Sequence, residues 1–594
     1  IGLILRIAVP GMSLLSRITL LLMLLFSSYG WAAQPNLKYT LTGLDGELQR
    51  NARAFLGNPP ETAQERLNFL VSARERVENA LQALGYYRPD IELEVQRQNP
   101  VWQLDIRVDP GEPVYIRNIS LQLLGAAADD AEFAGAIAQI GFVTGDVLHH
   151  GEFESFRDKL LSLGQRRGYF DGKIVLSRVE VEADGGTADV FVHYASGIRY
   201  RFGELIHDDE SVDYDLLNAL RTFQRGDFFE EKLLQQFQGQ VQLTRFFASV
   251  AVQPEIQQRQ QGEVPIRVLL TPAKRHSFNV GVGYSTDTEE RISMTWSTPK
   301  INRHGHSQVT RLEYSGVNPS GRVTYNIPLR HPLNDILQLW ARTEENEFGD
   351  IDSQQDELGA RREKRKQSWV YSYSLRGLTE TWEVLQESVT NDYLLLGASL
   401  SHSTHSGSIV DPSGGLSQLY TLELGNQDLG SDLDLVRFVG NLRYIATPFP
   451  GHRFVGRTEF GIAETASGDR AELAPSLNFF AGGNQSIRGF SYQSIGNEID
   501  VVRANGKKKT LVVGGDRLAI ASVEYQYYFT DSWRGALFVD GGDAFDDGEF
   551  DLNYGAGFGV HYITPVGAVR IEFANSLSDD NPDWQLHLTV GAEF

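Results

Sequence analysis

Gly482-Gly483-Asn484-Gln485-Ser486-Ile487-Arg488-Gly489-Phe490 sets one arginine between glycines and ends on an aromatic ring. Glycine on both sides permits backbone angles that other residues resist, so the stretch reads as a tight turn carrying a single cation. Further on, Ala536-Leu537-Phe538-Val539-Asp540-Gly541-Gly542 reads as a strand that brings an acid into an otherwise apolar run. What surrounds these two stretches decides the fold.

On both sides the chain alternates. Phe278, Val280, Val282 and Tyr284 are spaced by small or polar residues, as are Ile292, Met294 and Trp296, and Tyr420, Leu422 and Leu424. The last segment is the clearest: Trp584, Leu586, Leu588, Val590, Ala592 and Phe594 alternate with Gln585, His587, Thr589, Gly591 and Glu593. A period of two means strands with one apolar and one polar face. In stacked sandwiches the apolar face would be a core; in an outer-membrane barrel it meets lipid and the polar face lines the lumen. Aromatics gathered at a strand end, Tyr525-Gln526-Tyr527-Tyr528-Phe529, suit an interfacial girdle. A long charged connection is expected at about residues 344–367, and a short turn at Thr564-Pro565-Val566-Gly567. Membrane strands need roughly 9–11 residues each. With connections at roughly 20 residues per strand, residues 275–594 give about 16 antiparallel strands, an even number as bacterial barrels require.

The preceding part repeats an α+β scheme, strand, helix, helix, strand, strand. Leu84-Gly85-Tyr86-Tyr87, Arg167-Gly168-Tyr169-Phe170 and Leu243-Thr244-Arg245-Phe246-Phe247 each end a helix and open a strand. Each copy then closes on an alternating strand, Val101 to Val108, Ala188 to Tyr194 and Val264 to Leu270. Asp109-Pro110-Gly111-Glu112-Pro113 and Ser196-Gly197 punctuate the copies, giving βααββ modules at 35–110, 113–195 and 197–273. The exposed sheet edge of such a module can take an extended peptide through backbone hydrogen bonds.

Bulk properties exclude several functions. A formal charge of -23 argues against nucleic acid as a partner. The chain has no cysteine, hence no disulfide frame and no thiolate site. It carries no Gly-x-Ser-x-Gly elbow and no His-Glu-x-x-His helix, and Gly555, Gly557 and Gly559 alternate as strand glycines, so no enzyme is expected. His149 and His150 are adjacent and cannot share one face, so neither a metal nor a cofactor is expected. A passive porin has no use for the long modular arm. Residues 1–33 read as a secretory signal peptide with the true start at Met12: Arg17 is the basic region, Ile18 to Phe26 the apolar run, and Gly30-Trp31-Ala32-Ala33 the cleavage site.

These features together resemble the POTRA-barrel superfamily of outer-membrane assembly and secretion proteins, of BamA, TamA and FhaC type. The resemblance rests on Ile487-Arg488-Gly489-Phe490 with Gly482-Gly483, on Phe538-Val539-Asp540 with Gly541-Gly542, and on Gly557-Phe558-Gly559 with Thr564-Pro565-Val566-Gly567. Three modules, against five or two, resemble the TamA type most. The resemblance implies that Arg488, Gly489 and Phe490 lie on a loop folded into the lumen. Arg488 would be locked there by an inward acid, Asp540 first and Glu572 second. It also implies an outer-membrane location with periplasmic modules, a TamB-like inner-membrane-anchored partner, and unfolded outer-membrane clients such as autotransporters. The barrel closes by pairing a first strand at about 276–285 with a last at about 584–594. Gly281 and Gly283 interrupt the first and Gly591 the last, which ends on Phe594, so this lateral seam is expected to pair weakly. A client strand would then enter there, in contact with the lipid bilayer. The alternative is a two-partner secretion pore for one dedicated exoprotein.

Overall fold

A computed structural model of the chain describes residues 37–594 apart from 98–100, 208–211, 385–386, 467–471, 503–507, 566, 580–581 and 592–594. The expected signal peptide and Phe594 lie outside the described residues. The chain divides into two compact units. One holds the described residues up to Gly203 with Arg225–Glu231 and Ile256–Val264; the other holds Glu204–Gln224, Lys232–Glu255 and Pro265 onward.

The first module runs β1 (Leu37–Thr42), α1 (Gly46–Leu56), α2 (Ala63–Gln82), β2 (Asp90–Gln96) and β3 (Trp102–Asp109). β1 lies parallel to β3, which pairs antiparallel with β2. Thr62 starts α2 through a capping box with Glu65. Phe69, Ala73, Val77 and Leu81 recur at helical spacing and are buried against Leu104, Ile106 and Val108 of β3.

The second module repeats this as β4 (Tyr115–Leu124), α3 (Ala131–Ala138), α4 (His150–Arg166), β5 (Lys173–Glu182) and β6 (Thr187–Ala195), with sheet order β4-β6-β5. Its core centres on Phe133, Phe156, Leu160, Tyr169 and Tyr194. The adjacent histidines are structural: His149 Nδ1 accepts the Glu152 N–H at the start of α4, and His150 Nε2 meets the Tyr87 hydroxyl at 2.5 Å. Asp130 caps α3 and ties it to the aromatic that follows α4. It accepts from the Glu132 N–H, from Arg167 Nε at 2.8 Å and from the Tyr169 hydroxyl at 2.9 Å. Glu230 completes the knot with Arg167 at 3.5 Å and Arg199 at 3.2 Å. Burial alone would push the Asp130 carboxyl up, but Arg167, the Glu132 N–H and Tyr169 outweigh it and hold the carboxyl below its ordinary value. Burial, reinforced by Asp130, pushes the Tyr169 phenol up to about 12.

The third repeat comprises β7 (Arg201–His207), α5 (Tyr214–Ala219), α6 (Glu231–Leu243), β8 (Phe247–Pro254) and β9 (Glu263–Pro272), with sheet order β7-β9-β8. Asp213, just before α5, accepts from Arg303 Nε at 2.8 Å and faces His304 Nδ1 at 2.5 Å.

Sixteen antiparallel strands close a barrel. They begin with β10 (Ser277–Ser285), β11 (Glu289–Thr298), β12 (Ser307–Ser315), β13 (Ser320–His331), β14 (Asp335–Phe348) and β15 (Ile351–Lys366). Next come β16 (Trp369–Val384), β17 (Glu387–Gly407), β18 (Pro412–Gly425), β19 (Leu435–Phe449) and β20 (His452–Thr465). A small hairpin, β21 (Glu498–Val502) and β22 (Lys508–Val512), interrupts the sequence without joining the wall. The wall resumes with β23 (Arg517–Tyr528), β24 (Trp533–Phe545), β25 (Asn553–Thr564), β26 (Gly567–Ser576) and β27 (Trp584–Gly591). Alternation holds as the sequence requires: Leu537 and Val539 are exposed outward, while Arg534, Ala536, Phe538 and Asp540 of the same strand are buried inward. No described helix is long and apolar enough to cross a membrane.

One expectation is corrected. Residues 344–367 are not a charged loop but most of the β14–β15 hairpin, which turns at Gly349-Asp350 and pairs from Phe348↔Ile351 back to Asp335↔Lys364. Ile351, Ser353, Gln355 and Glu357 alternate buried with exposed neighbours, so the period of two persists where hydrophobicity does not report it.

Candidate functional site

The segment between β20 and β23 turns into the barrel interior. Its residues Leu473, Ala474, Leu477, Phe479, Ala481 and Ile487 are buried against inward side chains of the wall, among them Leu378, Tyr393, Leu395, Leu435 and Ile520. Phe490 packs on the same cluster. Glu380 of β16 holds the entry, accepting from the Ser476 N–H at 3.0 Å and from the hydroxyls of Ser476 and Ser353. The lumen is thus partly filled by an apolar core of the chain's own making.

Arg488 is 2% exposed and is saturated with partners. Nε and Nη2 fork onto Asp540 at 2.7 and 2.9 Å, and the Arg488 N–H donates to the same carboxylate at 3.0 Å. Nη1 donates to Glu524 Oε2 at 2.7 Å and to Glu572 Oε1 at 3.0 Å. Its guanidinium carbon sits 3.4 Å from the Phe538 ring centroid. The planar fork and the cation–π face are properties lysine lacks. Asp540, Glu524 and Glu572 come from β24, β23 and β26, so one side chain is bound by three strands.

The room for it is made by small residues. A Cβ on Gly555 would lie 2.1 Å from the Arg488 carbonyl oxygen, and one on Gly557 would lie 2.5 Å from the Phe538 ring. Gly489 has φ +98°, and a Cβ there would sit 2.7 Å from the Asn575 carbonyl carbon. Its N–H donates to His587 Nε2 of β27 at 3.1 Å.

Further polar side chains brace the partners of the arginine. Arg534 Nε donates to His561 Nδ1 at 3.1 Å, which leaves the proton on Nε2 to be donated to Glu572 Oε1 at 2.9 Å. Arg457 donates to Ser522 Oγ at 3.1 Å and lies 3.8 Å from Asp540. Glu524, His561 and Glu572 could in principle offer three ligand atoms to a metal, lying within 4.8 Å of one another. Both carboxylates already accept from Arg488, and the His561 proton is spent on Glu572, so the donor set is built for a guanidinium.

The seam behaves differently from the wall. β10 pairs with β11 at nine register positions and β26 with β27 at eight. Among the described residues β10 meets β27 at one, Ser285↔Thr589, with one further backbone bond from the Thr286 N–H to the Leu588 carbonyl at 3.2 Å. Gly281 and Gly283 pair with Ser293 and Arg291 of β11, and Gly591 with Ala568 of β26. Continuing the seam register would set Gly283 opposite Gly591, but the described pairing does not extend there.

Of the residues singled out in the sequence, Arg488, Asp540 and Glu572 come together, with Gly489 against β26 and Phe490 on the luminal core. Glu524, His561, Asn484 and Asp287 were not singled out. Glu524 carries a readable signal, an acid at the inward parity of Ser522-Val523-Glu524-Tyr525-Gln526.

Comparison with known proteins matches this architecture. A model of the Omp85 superfamily domain matches residues 274–594, and a model of TamA POTRA domain 1 matches 38–110. BamA from Haemophilus ducreyi lacking POTRA domains 1–3 is similar with a TM-score of 0.56 and 14% identity, over 94% of this chain and 99% of that one. CdiB from Acinetobacter baumannii has a TM-score of 0.45 and 14% identity over 81% of this chain and 90% of that one. CdiB from Escherichia coli gives 0.44 and 12% over 89% and 97%. With residues 274–594 under the superfamily model and the modules preceding them, the chain belongs to the Omp85 superfamily of outer-membrane insertases and transporters.

Proposed function

We propose that the chain is an insertase of the Gram-negative outer membrane that assists assembly of β-barrel clients, autotransporters among them, through the β10–β27 seam. The carrying observation is the single register pair there among the described residues, against nine and eight on its flanks. Unpaired backbone groups facing hydrocarbon are costly, and an incoming strand satisfies them by β-augmentation. The TamA-type match at 38–110 supports periplasmic modules that receive extended clients and a TamB-like inner-membrane-anchored partner. In this reading Arg488 with Asp540, Glu524 and Glu572 anchors the luminal loop while the seam works.

The absence of native cysteine makes the test direct. Ser285→Cys with Thr589→Cys, oxidised, should stop client insertion, and reduction should restore it. Full insertion with the seam covalently shut would refute the lateral route. A steady, high-conductance pore in planar bilayers, unchanged by the cross-link, would point to a secretion channel.

A further inference from the structure

Where the two seam strands meet, the luminal loop reaches across both. Asn484, 7% exposed, donates from Nδ2 to Ser285 Oγ at 2.9 Å and to Thr589 Oγ1 at 3.2 Å. A carboxamide NH2 carries two hydrogens, enough to serve both hydroxyls at once. These are the hydroxyls of the one described register pair of the seam. The Asn484 N–H also donates to Asp287 Oδ2, just beyond β10, at 2.8 Å. Gly483, at φ +99°, presses so close that a Cβ would sit 2.7 Å from that same oxygen. On the luminal side of the joint lies a cavity of about 510 Å³ bordered by Gly283, Asp287, Asn484, Tyr492 and Thr589. Loop and strands therefore meet here through a few polar bonds and one close glycine contact, beside open space.

We propose that Asn484 is a latch: a positioning residue, carried by the anchored loop, that ties β10 to β27 and is released when its hydrogen bonds to Ser285 and Thr589 part. This rests on reading the seam as the lateral exit. Arg488 and Asn484 then divide the work of one loop. The first is held by charges in a buried site; the second makes neutral hydrogen bonds that are individually modest and reversible. Opening breaks the second set together with the short backbone pairing of the seam and leaves the first intact.

The test uses the full mature chain in phosphatidylcholine nanodiscs, with spin labels on Val282→Cys and Leu586→Cys. Both positions are exposed on the outward face, one on each side of the seam. Asn484→Ala keeps the backbone bond to Asp287 and should move the mean label distance outward by about one strand spacing, ~5 Å. Ser285→Ala with Thr589→Val, which removes the acceptors and keeps Asn484, should reproduce the shift, and combining all three should add nothing. An unchanged distance in Asn484→Ala, or additive shifts, overturns the latch. If Asn484→Ala fails to give a heat-modifiable barrel on gels, the acceptor variant decides by the same criterion. Client insertion is scored separately. A widened seam with an unaltered insertion rate keeps the latch and removes the lateral exit, whereas an unmoved seam removes the latch alone.

Discussion

Arg488 shows how much one residue can fix. Its removal leaves Asp540, Glu524 and Glu572 buried with Arg457 as the nearest remaining guanidinium, and stranding the partners of a buried pair costs about 3–5 kcal/mol. Arg488→Ala is expected to lower the barrel's thermal transition and abolish its heat-resistant mobility on gels. Arg488→Lys keeps the charge but not the fork, and should lose about 1.5–3 kcal/mol, the worth of a hydrogen bond to a charged group. Equal stability of the Lys variant and the parent in the same scan would show that geometry at Asp540 is irrelevant. Gly489→Ala should cost about 1–3 kcal/mol from backbone strain alone, plus the clash at Asn575, read as a drop in the same transition. The pairing of Arg488 with Asp540 was legible because an arginine between glycines and an acid in an apolar strand are each anomalous. Asn484 was not legible, since an asparagine in a glycine-rich turn already has a local explanation as a turn former.

Elements were legible where hydrophobicity alternates, as in β10, β24 and β27. They were hidden where both faces are polar. β14 and β15 run past the apolar band, and their inward residues Ser353, Gln355 and Glu357 are buried by neighbours and not by hydrophobicity. β17, at 21 residues, is about 70 Å long at ~3.3 Å per residue, well beyond a bilayer's hydrocarbon core. In the modular arm, helix ends were predictable from glycine followed by aromatics, whereas the Asp130 knot required knowing which helix start meets which helix end. That knot makes the arm acid-sensitive. Asp130 has a folded-state pKa below its unfolded value, so its stabilisation is full above the ordinary carboxyl range near 4 and is lost as pH falls through the depressed folded value. The modules' thermal transition should therefore fall on acidification below about pH 4. Asp130→Asn should start lower at neutral pH and show a flatter acid limb. Parallel limbs for parent and variant would remove Asp130 from the account.

At the scale of the molecule, the third repeat is divided between the two units, and its Asp213 is tied to Arg303 and His304 of the barrel unit. Residues 214–224 and 232–243 should accordingly lose hydrogen-exchange protection together with the barrel in Arg488→Ala, while residues 37–195 keep theirs. Protection lost evenly along the whole chain would contradict this division. The three-strand seat of Arg488 also sets an order of events. The loop precedes β23, β24 and β26 in the chain, so its arginine is synthesised before any of its acids. Drawing those strands together without it would crowd Glu524, Glu572 and Asp540 in a dry site with too few counterions. Closing the wall from β23 to β27 is therefore costlier without the loop than with it. The cation is the counterion that the C-terminal strands need as they come together, and the loop is expected to be in place before they close.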